Sequence, residues 1–129
     1  MTRRSLISSG GPWELRGGYS RAVAQGDGCW VAGTTDAGPD GVSQHPGDAG
    51  AQARASWAIV AQALADAGFA LEDVVRTRMY VTDPAAADSV VAVHGELFRD
   101  IRPAATLLVV ARLIHPSLLV EVEADARRS

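Results

Sequence analysis

The segment Leu118-Leu-Val-Glu-Val-Glu-Ala124 alternates apolar and acidic residues with a period of two, the pattern of a strand with one buried face. Val120 and Val122 turn to a core, while Glu121 and Glu123 turn to the opposite face, where at least one carboxylate must find water, a partner or a ligand. The whole stretch from Arg102 to Glu123 reads as two strands, this one and one upstream, joined by a Pro-marked turn. A closing two-stranded hairpin is predicted.

The rest of the chain fills in around that sheet. Tyr19 to Ala24 alternates and reads as a strand, Gly26-Asp-Gly28 as a hairpin turn, and Cys29 to Thr34 as its partner strand. Asp36 to Gly50, rich in Gly, Pro, Asp and Ser, is a surface loop, either functional or a solvated connection. Asp48 caps a helix over Ala51 to Ala67, with Trp57, Val60, Ala61 and Leu64 at helical spacing and Gly68 as its stop. Asp73 to Thr82 reads as a half-buried strand, with Val75, Thr77, Met79 and Val81 on one face and Arg76, Arg78 and Tyr80 on the other. A second helix starts at Asp83-Pro84, with Val90, Val91, His94, Leu97, Phe98 and Ile101 as its stripe. His94 is then either a hydrogen-bonded core residue or a ligand at the helix edge.

Two such helices cannot bury their stripes on each other and also cover the strands from both sides, so both pack on one sheet face. The other face calls for self-association, with pockets at the interfaces. With 129 residues the chain makes one domain, 1–129, and shows no internal repeat. Its 47% hydrophobic and 21% charged residues place it in the ordinary soluble class. A net charge of -3, with no lysine and with arginines paired only at Arg3-Arg4 and Arg127-Arg128, argues against nucleic acid as a partner. Both pairs read as solvated termini. No apolar run spans a membrane or forms a signal peptide, so a cytoplasmic protein is expected. The lone Cys29 fits a reducing compartment and reads as a small core residue rather than a nucleophile. His45, His94 and His115 lack ligand-like spacing, and no metal or other cofactor is predicted.

Several pieces, in order and spacing, resemble the Rid (YjgF) family of small trimeric proteins. They are Gly18-Tyr-Ser-Arg-Ala-Val23, Val31-Ala-Gly33, Ala65-Asp-Ala-Gly68, Leu71-Glu-Asp-Val-Val-Arg-Thr77, Val81-Thr-Asp83, Pro103-Ala, Val110-Ala-Arg-Leu113 and Val120-Glu-Val-Glu123. The resemblance covers nearly the whole chain. It implies an α+β, chorismate-mutase-like fold: a mixed sheet with two helices on one face, assembled as a homotrimeric barrel with a small-molecule pocket at each interface. The chemistry it implies is hydrolysis of reactive enamines and imines, which needs an arginine fork for the substrate carboxylate and a group to move protons.

Against that pattern the chain departs at several positions. The family's arginine position is Ala105, its neighbour Thr106 keeps a small hydroxyl, the following pocket position is Leu107, and the serine before the strand glycine is Ala32. Losing a charge-assisted contact costs about 1.5–3 kcal/mol, so 2-imino acids should bind poorly to an unaided pocket. Neither Arg112 nor Arg78 matches the ligand-binding position. Tyr19, Gly33 and Glu121 do match pocket positions: a phenol, a backbone edge and a carboxylate able to orient water or take a proton. Each has a second reading, as a capped core edge, relief of crowding and a solvated face respectively. Thr34 and Trp30 complete the candidates, Trp30 as a packing residue.

Two functions follow. One is a hydrolase or deaminase acting on an imine, enamine or related small metabolite, with Glu121 activating water and Tyr19 positioning the substrate. The other is a binding or regulatory trimer without turnover, whose pocket is made apolar by Ala32, Ala105 and Leu107. Ribonuclease activity, attached to relatives, finds no basic groove and no histidine pair here.

Overall fold

Local chemistry sets most of the elements. In the computed structural model, which describes residues 3–129, Gly26 takes φ 62° in the tight turn that joins β2 (Ala22–Gln25) to β3 (Gly28–Thr34). A left-handed backbone suits glycine, which has no Cβ to clash. The Asp48 side chain accepts a hydrogen bond from Ala51 N at 3.0 Å and caps α2 (Ala49–Asp66). Asp83 does the same for Ala85 N at 2.9 Å, opening a 3₁₀ turn (Pro84–Ala86) that leads into α3 (Ala87–Phe98).

The strands form one six-stranded sheet. With β1 (Arg4–Ile7), β4 (Val74–Val81), β5 (Ala104–Val109) and β6 (Val120–Arg127), its order is β1-β2-β3-β6-β4-β5. Every neighbouring pair is antiparallel except β4 and β5, which run parallel across α3. Both long helices lie on one face. There Trp57, Val60, Leu64, Val90, Val93 and Phe98 pack against Cys29, Val31, Met79, Val81, Val120 and Val122, all buried. Among the described residues no helix is long and apolar enough to cross a membrane.

The expected closing hairpin is not one. β5 and β6 do not pair; β4 lies between them, bonded to β5 on one side and to β6 on the other. The connection over residues 110–119 therefore crosses the end of β4. Gln52, fully buried on α2, fixes that crossing: its Nε2 donates to Ser117 O at 2.9 Å and its Oε1 accepts from Leu119 N at 2.8 Å.

Other departures are smaller. β1 and the short helix α1 (Pro12–Gly17) are not expected from the sequence, because β1 is a four-residue edge strand without alternation and α1 leaves Leu15 93% exposed. Tyr19 lies between α1 and β2 rather than in a strand. A bulge between Val74 and Arg76 exposes Val75 and buries Val74 instead. In α3 Val93 is buried together with Val90 and Phe98, and Val91 falls on the outward flank.

The Asp36–Gly50 loop is tied down. Buried Asp36 Oδ2 accepts from Ser43 Oγ at 2.8 Å and His45 N at 3.1 Å, and lies 3.0 Å from His45 Nδ1. His94 sits among aromatics, 4.6 Å from Phe98 and 5.8 Å from Trp57 by ring centroids. Its Nε2 lies 2.8 Å from Thr77 Oγ1, and burial lowers its pKa, which favours the neutral ring. Cys29 is fully buried, and burial raises its thiol pKa, which keeps it protonated.

Candidate functional site

The alternation of β6 sends Val120, Val122, Ala124 and Ala126 under the helices and leaves Glu121, Glu123 and Asp125 half-buried on the open face. Antiparallel register then places Tyr80 beside Glu121 and Arg78 beside Glu123. Tyr80 nevertheless bonds diagonally, its hydroxyl donating to Glu123 Oε1 at 2.6 Å. That hydrogen bond, reinforced by burial, raises the Tyr80 pKa. Arg78 Nη1 lies 3.8 Å from Glu123 Oε1 and 3.4 Å from Asp125 Oδ2. Glu123 is thus engaged by its neighbours.

Glu121 is not. No hydrogen bond or ion pair joins its carboxylate to the described residues. On its other side, the ladder between β3 and β6 shifts register between Val31 and Thr34, so Gly33 falls directly beneath it. A Cβ at Gly33 would collide with the Glu121 carboxylate, so only glycine admits this approach. Burial raises the Glu121 pKa, with the Arg21 charge opposing and the Glu123 charge adding to the rise. The carboxyl group therefore holds its proton more readily than an exposed glutamate.

Arg21, at the entry to β2, reaches the same glycine. Its Nη2 donates to Gly33 O at 2.5 Å, and its Nε is buried with no hydrogen-bond partner among the described residues. Within the field of its charge stands buried Glu14, whose carboxyl group accepts from Ser9. Burial opposes the lowering of the Glu14 pKa, which its hydrogen bonds from Ser9 and Ser8 and the Arg21 charge produce.

Among the described residues, none of the other sequence candidates bonds to Glu121. Thr34 is buried and spends its hydroxyl on Ala32 O at 2.7 Å. Tyr19 is 45% exposed, its ring beside Gly17. Ala105 pairs with Thr77 and Leu107 with Met79, so both share the helix-covered face, whereas Thr106 pairs with Arg78 on the open face. All three belong to β5, separated from Glu121 by the whole of β4. Two clefts on the helix side are also remote. One of about 730 Å³ lies between the end of α3 and Pro103, and one of about 640 Å³ lies between α2 and α3. Arg21 stands in the stretch Gly18-Tyr-Ser-Arg-Ala-Val23, whose pattern marks a strand and gives the arginine no role of its own.

Two helices on one face of a mixed sheet, with acidic side chains on the open face, define the α+β fold of the YjgF type. The chain belongs to the YjgF/Rid family: a model of the endoribonuclease L-PSP family matches residues 13–128. It is similar to an uncharacterized protein of Streptomyces coelicolor, 40% identical over 122 residues that cover 95% of this chain and 90% of that one. It is similar also to a RutC family protein of Pyrococcus horikoshii, 30% identical over 110 residues, 85% of this chain and 86% of the other. Among solved structures, Rv2704 of Mycobacterium tuberculosis, a member of the YjgF/YER057c/UK114 family, superimposes with a TM-score of 0.89. It is 44% identical, with 98% of this chain and all of that chain covered.

Proposed function

We propose that the chain hydrolyses a small imine or enamine at a site built on Glu121 and completed by a second copy in a homotrimer. The observation that carries this reading is the state of Glu121: half-buried, unpaired, seated over Gly33 and biased towards its protonated form. A carboxyl group poised in this way serves both halves of the reaction. As the acid it gives its proton to the imine nitrogen and makes the adjacent carbon electrophilic. As the carboxylate it takes a proton from the water that attacks that carbon. The carbinolamine then collapses, the C–N bond breaks, and the amine leaves with the proton, so imine plus water gives carbonyl plus ammonia or amine.

Separation along the sheet supports the need for a second copy. Ala105, Thr106 and Leu107 lie across β4 from Glu121 on the edge strand β5, so in this reading that free edge brings them to the ligand from a neighbouring subunit. Tyr19 supplies a phenol to position the ligand, and Thr34 holds the strand end beside Gly33. The loss of charge at Ala105 favours a second reading, a ligand-binding trimer without turnover.

A panel of imines, including 2-aminoacrylate generated in situ by a dehydratase, separates the two. The parent should consume at least one of them, and Glu121→Ala should slow it by roughly 10²–10⁴-fold without changing the mass of the assembly. Equal rates for parent and variant would make the mechanism wrong. Ligand-induced thermal stabilisation with no turnover would favour the second reading.

A further inference from the structure

Gly33 is approached by two charged side chains at once. The Glu121 carboxyl group lies against its α-carbon, and Arg21 Nη2 donates to its carbonyl oxygen at 2.5 Å. No ion pair joins the two among the described residues, although each lies within the other's field. The arginine is also underused. A guanidinium carries five N–H donors in a planar fork; one is spent on Gly33 O, and Nε is buried without an acceptor. Nε is enclosed, so the donors left for an acceptor are those of the Nη end. The nearest carboxylates do not supply one, because Glu14 bonds to Ser9 and Glu121 stands apart.

We propose that Arg21 is the anion anchor of the Glu121 site: fixed on Gly33 O through Nη2, its guanidinium receives a carboxylate or comparable small anionic group of the ligand. This rests on the reading of Glu121 given above and deepens it, because it sets the charge class of the ligand. The fork holds one end of the molecule while its reacting carbon lies towards Glu121. The cation then comes from the same half of the site as the acid, whereas position 105 lies across β4 and carries alanine. The chain thus selects anions, even though its β5 strand is apolar.

Calorimetric titration with pyruvate, and with pyruvamide as its neutral counterpart, tests this at pH 7 and low salt. The parent should bind pyruvate roughly tenfold or more tightly than pyruvamide, and Arg21→Gln should remove that preference by weakening pyruvate. Arg54→Gln, the same charge change in an exposed ion pair with Glu96, should retain it. If Arg21→Gln does not fold, Arg21→Lys keeps the charge without the fork and should bind pyruvate with intermediate strength. Equal affinity of the parent for the two probes, or no pyruvate binding at millimolar concentration, overturns the proposal. So does undiminished pyruvate affinity in the Arg21 variant, whether or not its assembly changes. Turnover lost in Glu121→Ala together with undiminished pyruvate affinity in Arg21→Gln leaves the hydrolase reading standing and removes only this inference. Pyruvate affinity lost in Arg21→Gln with turnover indifferent to Glu121 does the reverse.

Discussion

Glu121 and Glu123 stand two residues apart on the same face of one strand, and their surroundings differ. Glu123 receives the Tyr80 hydroxyl and lies near Arg78, while Glu121 faces Gly33 and the charge of Arg21. The raised pKa of Glu121 ties stability to pH. Above the ordinary glutamate value, about 4.3, the folded chain binds more protons here than the unfolded chain. Glu121 therefore contributes stability that is complete below that pH and is lost as pH rises through its folded pKa. Melting temperatures of parent and Glu121→Gln across pH 4 to 8 should converge at the acid end, with the parent falling relative to the variant above it. A constant difference across that range would contradict the assignment. The alternation of the tail is enough to place both glutamates on the open face. Which of them is left without a partner depends on Tyr80, which arrives from a strand some 40 residues earlier.

At the scale of elements, irregularities in the ladder shape the site. The register shift in β3 between Val31 and Thr34 brings Gly33 under Glu121, and the bulge in β4 turns Val75 out. Neither is visible as a break in hydrophobic pattern. Gly33→Ala tests the first: the added methyl meets the end of a flexible side chain, so the carboxyl group should move while the fold persists. Melting temperature at pH 4 should change by only a few degrees, and the pH-dependent difference described for Glu121 should shrink. An unchanged pH profile would show that the close approach is unimportant. The predicted hairpin failed for a related reason. β5 and β6 were rightly expected as strands, but their adjacency in sequence says nothing about β4 entering between them. Buried Gln52, which pins the crossing segment through Ser117 and Leu119, is a polar residue within a helix and gives no signal of that role in the chain.

Among the described residues the sheet is covered by helices on one face only. Trp30 and Leu108 lie on the uncovered face at 47% and 50% exposed, and Val109 on the edge strand β5 at 52%. Apolar residues beside an unpaired strand edge mark an association surface. Sedimentation equilibrium at micromolar concentration should give about three times the chain mass of 13.5 kDa, and Trp30→Asp combined with Leu108→Asp should lower it while helical content persists. A parent that sediments as a single chain would remove both the trimer and the shared site. Periodicity, caps and turn residues determined the strands after β1, the two long helices, most of the faces they bury and the position of Glu121, because these depend on residues a few places apart. Tertiary structure decided the order of the strands, the two register shifts, the partnering of Glu123 and the meeting of Arg21 with Glu121 over Gly33. Those outcomes depend on pairings between distant segments, chosen by the summed packing of the whole sheet, and no local stretch of sequence carries that sum.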